Sequence, residues 1–276
     1  ALGINATTRK IITDTDGTEA GWKYWGLSEK SNSLPHPDTP TDPQTRITGT
    51  WLEVLVRIPV ILHRARLSYR ELLAVIDTRF INPEKTISIV MPVSDNVLDC
   101  DVSAMTITGL DEPAAGRFHR FVRLWRKTNL SIPELDQLLA GRALDDALLA
   151  HLSALLDLQQ RTDLSFIELV SLFFGLDDHT YRNDEAIQGN EAGRWTAANS
   201  LYERIFRTQP VLATASFPRT LAQLTSSATP VGEWALGLLA ALRIKENDLS
   251  CIVAALGITA DTALTPDLLW RLWRVP

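Results

Sequence analysis

The residues whose types and spacing most suggest a chemical role form a cationic stretch at positions 117 to 127. Arg117, Arg120 and Arg123 recur every third residue, and Arg126 and Lys127 end the stretch. Charges at this spacing lie close together on a helix. One interpretation is a surface for an anionic partner, such as lipid headgroups or an acidic protein surface. The residues that would form this surface are Arg117, Arg120, Arg123 and Lys127.

The alternative is ion pairing within the chain, which needs no external partner. Each exposed ion pair contributes only about 0–1 kcal/mol to stability. The candidate acidic partners follow the stretch: Glu134, Asp136, Asp145, Asp146 and Asp157. His119 stands among the arginines, so we interpret it as a packed or surface histidine and not as a metal ligand.

Sequence motifs for catalysis, cofactors or metals are missing. There is no Gly-x-Gly-x-x-Gly, Walker loop, His-Glu-x-x-His, Gly-x-Ser-x-Gly or Cys-x-x-Cys. Asp177-Asp178-His179 is interpreted as turn chemistry. Cys100 and Cys251 are too few for a disulfide framework, and we expect two buried thiols. We therefore expect no enzyme, no cofactor and no metal.

Bulk composition is that of an ordinary folded domain. The 276 residues are 45% hydrophobic and 22% charged, and the net charge is −6. That charge gives no reason to expect nucleic acid. No apolar run reaches the roughly 18 residues of a membrane span. The chain begins at Ala1, and we interpret residues 1–276 as one helical domain cut from a much longer protein.

The cationic stretch is predicted to be a helix because apolar residues recur on one face of it. Phe118, Phe121, Val122 and Trp125 have the spacing of a buried helical face. After a short turn, Ser131 and Glu134 form a capping box, in which each side chain satisfies a backbone N–H near the start of the next helix.

This Leu-Ser-x-x-Glu-Leu device recurs along the chain. Two further pairs match it, and Lys245 and Thr265 begin weaker copies. The predicted structural caps are Ser68, Glu71, Ser131, Glu134, Ser165 and Glu168. Because each of the first four copies follows an apolar-periodic run, the sequence predicts an all-α fold of repeated helix–turn–helix pairs without a fixed period.

Three regions depart from the helical pattern. Residues 86–108 contain two β-like runs and predict one small hairpin, which must lean on helices because an isolated hairpin is marginal in water. Residues 31–50 are rich in proline and are predicted to be a surface loop, as are the polar residues 177–199. Residues 207–232 are expected to be mostly connection, and residues 1–30 show few helical signals.

Several ordered motifs resemble the large A subunits of bacterial Tc (toxin complex) insecticidal toxins. Within the central stretch, the likeness lies in residues 117–126 and 130–136. The remaining motifs keep the family's order: 24–27, 67–73, 78–83, Cys100-Asp101 before 105–110, and 200–206. The resemblance covers about residues 20–260.

The resemblance implies a part of the helical outer shell that surrounds a pore-forming channel. It implies assembly as a homopentamer with neighbouring A-subunit protomers, association with separate B–C toxin subunits, and secretion from a bacterium as part of a virulence complex. It carries no catalytic residues into this stretch.

We therefore expect a non-enzymatic shell segment that packs on other parts of its own chain and on neighbouring protomers. The alternative is a host-surface module that binds a receptor or glycan through loops 31–50 and 177–199.

Overall fold

The computed structural model describes residues 2–14, 20–36, 39–91, 102–183, 196–198 and 200–275. The chain divides into two compact units, Ala1–Asp157 and Leu158–Pro276, where the sequence suggests one helical domain. The division falls in the last turn of a leucine-rich helix, which the hydrophobic pattern alone does not mark as a boundary.

Helices dominate the described residues, as predicted. The first unit holds α1 Ala6–Ile12, α2 Gly21–Tyr24, α3 Trp51–Leu55, α4 Ile58–Ala65, α5 Tyr69–Ile76, α6 Glu112–Trp125 and α7 Ile132–Leu139. Helix α8, Asp146–Gln159, contains the division between the units. The second unit holds α9 Phe166–Phe174, α10 Leu201–Phe206, α11 Gln209–Leu212, α12 Leu221–Ser227, α13 Ala235–Leu242, α14 Glu246–Ala255 and α15 Pro266–Arg274.

Three antiparallel pairs of short strands interrupt the helices in the described parts of the chain. They are β1 Asn32–Leu34 with β2 Ile47–Gly49, β3 Ser88–Val90 with β4 Thr106–Thr108, and β5 Tyr181–Asn183 with β6 Thr196–Ala198. The β3–β4 pair confirms the predicted hairpin at 86–108. Residues 92–101, including Cys100, lie outside the described residues.

The β3–β4 hairpin is joined to the helices by backbone hydrogen bonds. Ile107 N–H donates to the carbonyl of Val56 at 2.8 Å, and Ile58 N–H donates to the carbonyl of Met105 at 3.2 Å. These bonds attach β4 to the connection between α3 and α4, which meets the expectation that the hairpin needs helical support.

The proline-rich stretch 31–50 is a paired ribbon and not an unpaired loop, so this prediction was wrong in part. Asn32, Ser33 and Leu34 pair with Gly49, Thr48 and Ile47 in that order. Pro35, Pro37, Pro40 and Pro43 all occupy sequence positions between the strands. They therefore remove no donor from the ladder. Likewise, β5 and β6 add a ladder to the predicted loop 177–199, of which 184–195 and 199 lie outside the described residues.

Two prolines lie in the first turns of helices. Pro59 lies in the first turn of α4, after the break at Val56 and Arg57 that separates α4 from α3. Residues 207–232 contain α11 and α12 and are not mostly connection; Pro210 lies in the first turn of α11. A proline at this position gives up an N–H that has no helical partner.

Residues 1–30 likewise contain two helices that the sequence analysis missed. Asn5 Oδ1 accepts from Thr8 N–H at 2.8 Å and caps α1. Further along, Cys251 is exposed, which corrects the expectation of a buried thiol; it lies on the outer side of α14.

The predicted capping boxes are present. Glu71 accepts from the Ser68 N–H at 2.6 Å, and Ser68 Oγ accepts from the Glu71 N–H at 3.2 Å. The same reciprocal bonds occur in the pairs Ser131/Glu134 and Ser165/Glu168. In the weaker copies, Lys245 N–H donates to Asp248 at 3.0 Å, and Thr265 accepts from Leu268 N–H at 3.2 Å.

Leucines flank each box at the positions of a hydrophobic staple. Leu67 and Leu130 precede two of the serines and are 7% and 6% exposed. Leu164 precedes Ser165 and is 38% exposed. The third box therefore relies more on its hydrogen bonds and less on apolar cover than the other two.

Candidate functional site around helix α6

Two arginines of α6 and its end donate to backbone carbonyls of other segments. Arg117 Nη2 donates to the carbonyl of Ile81 at 3.2 Å. Arg126 Nη2 donates to the carbonyl of Arg66 at 2.7 Å and also to that of Ala65. Arg66 ends α4 with a left-handed φ of 51°, so these carbonyls belong to a helix end that lacks its own donors. Arg126 thereby ties the end of α6 to the end of α4.

His119 lies buried between α6 and α2. Its ring stacks on Tyr24 with centroids 5.2 Å apart and meets the edge of Trp25 at 5.3 Å. Its Nε2 accepts from Arg123 Nε at 2.9 Å. A neutral imidazole that accepts through Nε2 carries its proton on Nδ1. Burial, and then the positive charges of Arg123 and Arg120, lower the pKa of His119 to about 3.

An acidic residue from the N-terminal segment lies near the same cluster. Tyr24 Oη donates to Asp14 Oδ2 at 2.6 Å. Burial is the main cause that lowers the pKa of Arg120, and the charge of Asp14 acts against it. The carboxylate of Asp14, in a segment that precedes α2, thus partly offsets the effect of burial on the Arg120 guanidinium.

Four buried nitrogens of this cluster have no hydrogen-bond acceptor in the described chain: Trp25 Nε1, Arg117 Nε, His119 Nδ1 and Arg120 Nη1. The Tyr24 backbone lies close enough to act on the pKa of His119, but not at full hydrogen-bonding geometry. Each unpaired buried donor costs about 1–3 kcal/mol. Aromatic packing therefore holds α2 on α6 despite the free-energy cost of these unpaired donors.

The structure brings the predicted arginines into internal contacts. Arg117, Arg120 and Arg123 are half-buried, while Lys127 is exposed beyond the end of α6. Ion pairing with the acidic residues that follow takes a different form from the one expected. Asp136 pairs with Arg79, and Asp146 accepts from Arg9 at 2.7 Å. A role of the four cations as an interaction surface stays a prediction.

Asp136 is a buried structural residue, although its position among acidic residues suggested a surface ion pair. It is fully buried, and its carboxylate accepts from the backbone N–H of Phe80 at 2.8 Å and of Arg79 at 3.1 Å. Arg79 Nε adds a contact at 3.4 Å. The signal was its place on α7 beside Leu135 and ahead of Leu138 and Leu139, where an acid is surrounded by apolar positions.

Asn82 completes the same turn between α5 and β3. Its Nδ2 donates to the carbonyls of Ile87 at 2.9 Å and Ile76 at 3.3 Å, and its Oδ1 accepts from Ile87 N–H at 3.0 Å. Together with Asp136 and Arg117, it binds the backbone of residues 76–87 from three sides. We call residues 78–82 the polar hub.

The second unit contains a comparable but smaller polar contact. Asp178 Oδ2 accepts from the N–H of Leu221, the first residue of α12, at 2.6 Å. Asp177 Oδ1 accepts from His179 N–H at 3.2 Å, which agrees with the interpretation as turn chemistry. The negative charge at the start of α12 also matches the helix dipole.

The described residues contain neither a metal-binding group nor a membrane-spanning helix. No group of three or more His, Cys, Asp or Glu side chains there is placed to hold a metal ion. None of the described helices combines the length and apolarity that crossing a membrane requires. Comparison with protein-family models, curated proteins and solved structures finds no match for this chain.

Proposed function

We propose that this chain is a non-enzymatic structural segment of the outer helical shell of a pore-forming toxin translocation subunit. The observation that carries the proposal is the use of the α6 charges. Arg117 donates a hydrogen bond to the carbonyl of Ile81, and Arg126 donates to the carbonyls of Ala65 and Arg66. A cationic helix whose arginines bind carbonyls of its own chain stabilises the fold internally, and this supports a structural role.

The repeated helix start is a second support. Reciprocal Ser/Glu capping boxes begin α5, α7 and α9, and weaker copies of the same motif begin α14 and α15. Repeated helix–turn–helix pairs of this kind suit an extended wall that is built from similar parts.

The resemblance of residues 117–136 and the ordered motifs around them to A subunits of bacterial Tc toxins supplies the biological setting. In that setting the partners are other parts of the parent chain, neighbouring protomers of a homopentamer and the B–C subunits that hold the toxic component. The location is outside the bacterium, as part of the secreted insecticidal complex.

A second candidate function is host-surface recognition, and the β1–β2 ribbon favours it. Thr39, Pro40, Thr41, Pro43 and Gln44 are exposed at its tip. Connections of this kind carry recognition in many proteins because they vary without disturbing the scaffold.

Imaging the parent particle tests the shell proposal. The parent reading frame should be far longer than 276 residues and accompanied by genes for B and C subunits. Electron microscopy of the purified product should place this fold repeatedly around a central channel. A short reading frame, or a particle without a channel, would contradict the proposal.

A binding screen separates the two candidates. The chain is tested on host glycans and insect-gut membrane vesicles beside a variant with Thr41→Ser and Gln44→Ala in the ribbon tip. A Lys127→Ala variant is the matched control on the other candidate surface. Loss of binding only in the ribbon variant supports recognition, whereas absence of binding in all three favours the shell.

A further inference from the structure

We propose that the Asp42–Pro43 peptide bond, in the turn between β1 and β2, is a self-cleavage site at which the chain cuts its own backbone. This bond is the only Asp-Pro step in the sequence. Three features of the turn favour cleavage: a neighbouring nucleophile, a tertiary amide and a donor on the amide carbonyl oxygen.

The nucleophile is the Asp42 carboxyl group, which lies within reach of its own backbone carbonyl carbon in a five-membered ring. Gln44 N–H donates to Asp42 Oδ1 at 2.8 Å and holds one oxygen of the carboxyl group. Fixing a neighbouring nucleophile in this way replaces a bimolecular step by an intramolecular one. The second oxygen stays available for attack.

The leaving group is the nitrogen of Pro43. An X–Pro bond is a tertiary amide and lacks an N–H. Its nitrogen therefore leaves as a secondary amine after it takes up a proton. Pro43 is exposed, so water has access to both the nitrogen and the product.

Thr45 supplies a donor to the carbonyl oxygen of the same bond. Its Oγ1 lies 3.2 Å from the Asp42 carbonyl oxygen and 3.5 Å from that of Thr39. The Thr39 carbonyl already accepts from Asp42 N–H at 3.1 Å, so the Asp42 carbonyl is the nearer and less occupied acceptor. A donor at this place stabilises the negative charge that develops during attack.

Thr39 positions that donor. The two hydroxyl oxygens of Thr39 and Thr45 are 2.7 Å apart. When Thr39 donates to Thr45, the Thr45 proton is directed to the scissile carbonyl, and successive hydrogen bonds strengthen one another.

The reaction then balances with water as the only co-reactant. A carboxyl oxygen of Asp42 adds to its backbone carbonyl carbon, and the bond to Pro43 nitrogen breaks as that nitrogen takes a proton. Water opens the resulting cyclic anhydride and restores two carboxyl groups on Asp42. The products are residues 1–42 and a chain that begins at Pro43, with one water consumed in total.

The products stay together after the cut. Strand β1 belongs to the first product and β2 to the second, and their three residue pairs join them. Arg46 Nε also donates to Ser33 Oγ at 2.7 Å across the cut. Cleavage therefore frees the two ends of the ribbon tip without releasing either piece.

The test incubates the folded chain in mildly acidic and neutral buffers and measures intact mass under denaturing conditions. We expect two masses that correspond to residues 1–42 and 43–276, with Pro43 as the new N-terminus. Cleavage in the folded chain should be at least about tenfold faster than in guanidinium at the same pH, since only the folded turn fixes the reacting groups. Equal rates, or no cleavage at all, would overturn the proposal.

Variants assign the roles. Asp42→Ala and Pro43→Ala should abolish or strongly slow the cut, and cleavage of the Asp42→Ala protein would reveal a contaminating protease and overturn the proposal. Thr45→Val should slow it at least about tenfold, because removing an oxyanion donor costs about 100- to 1,000-fold in well-formed sites. Thr45→Ser should restore the rate. An unchanged melting temperature across the Thr45 variants would show that the change in cleavage rate does not come from a loss of folding. A Thr45→Val cleavage rate equal to that of the wild type would overturn the assignment of Thr45.

Discussion

The interiors of the two units differ in how many polar groups they bury. The first unit places polar and ionic groups inside: the buried Asp136, Asn82 and His119, with arginines that reach distant carbonyls. The second is centred on apolar and aromatic packing, with Phe217 between Phe206 at 5.3 Å and Trp234 at 4.6 Å. Hydrogen bonds require particular partners, whereas apolar packing tolerates substitutions of similar volume. The first unit should therefore be the less tolerant of single polar changes.

The largest expected loss follows from Asp136→Ala. It removes the acceptor of two backbone N–H groups and leaves Arg79 without this charge, so we expect about 3–5 kcal/mol of destabilisation. Urea unfolding followed by circular dichroism measures it, and hydrogen exchange should locate the effect at residues 78–87. Asp136→Asn keeps one oxygen and should lose less. If Asp136→Ala lost under about 1 kcal/mol, the polar hub would not hold the first unit.

Phe217→Ala tests the other half of the comparison. Phe217 is 2% exposed, and removing a buried aromatic ring costs about 3–4 kcal/mol through lost transfer energy and the cavity. Phe217→Leu is the matched control and should keep most of the stability. Equal losses from both substitutions would mean that this packing does not tolerate a smaller apolar side chain, and would contradict the comparison between the units.

Acid should weaken the first unit through His119. Its folded pKa of about 3 lies below the unfolded value of about 6.5. The unfolded state binds the proton more tightly, so this contribution is fully present above about pH 6.5 and is lost as the pH falls toward 3. We expect a loss of about 2 kcal/mol at pH 5, but under about 1 kcal/mol between pH 8.5 and 6.

Urea unfolding at several pH values measures this effect, with His119→Asn as the variant. The variant should lose the extra acid sensitivity, while a change of the exposed His151 should leave it in place. Identical pH profiles for wild type and His119→Asn would contradict the assignment.

Trp125→Ala should have a smaller effect than its place on the apolar face suggests. The helical spacing predicts a core position, but Trp125 is half-buried and its indole donates to the Leu130 carbonyl at 2.9 Å. We expect about 1–2 kcal/mol, against about 3–5 for the fully buried Phe121. Denaturant melts that ranked Trp125 above Phe121 would reverse this order.

The smallest predicted change concerns a capping box. Ser165→Ala should cost about 1 kcal/mol, the usual worth of an N-cap. Ser68→Ala is its counterpart in the first unit, where the leucine before the cap is buried. Because Leu164 gives less apolar cover, the start of α9 should fray more than that of α5 in hydrogen exchange. Equal fraying would show that the staple adds little.

Local rules recovered the starts of α5, α7 and α9, since pairs such as Ser131 and Glu134 satisfy each other within four residues. The same rules recovered the β3–β4 hairpin from its period. They missed Asp136 because its partners lie 56 and 57 residues away. They missed the ribbon at 31–50 because a count of prolines ignores where each proline stands. Of the α6 cations, the sequence indicated the face but not the carbonyls of Ile81 and Arg66 that the arginines reach.

The capping boxes also bear on how the chain is made. Each box is complete within four residues, so a helix start can form as soon as that short segment has left the ribosome. The contact of Asp136 with Phe80 must wait for 56 further residues. During synthesis, helix boundaries therefore precede the long-range contacts, and the exposed apolar faces of early helices await partners not yet translated. Slowing translation between α5 and α7 would lengthen that wait and expose those faces to chaperones or aggregation.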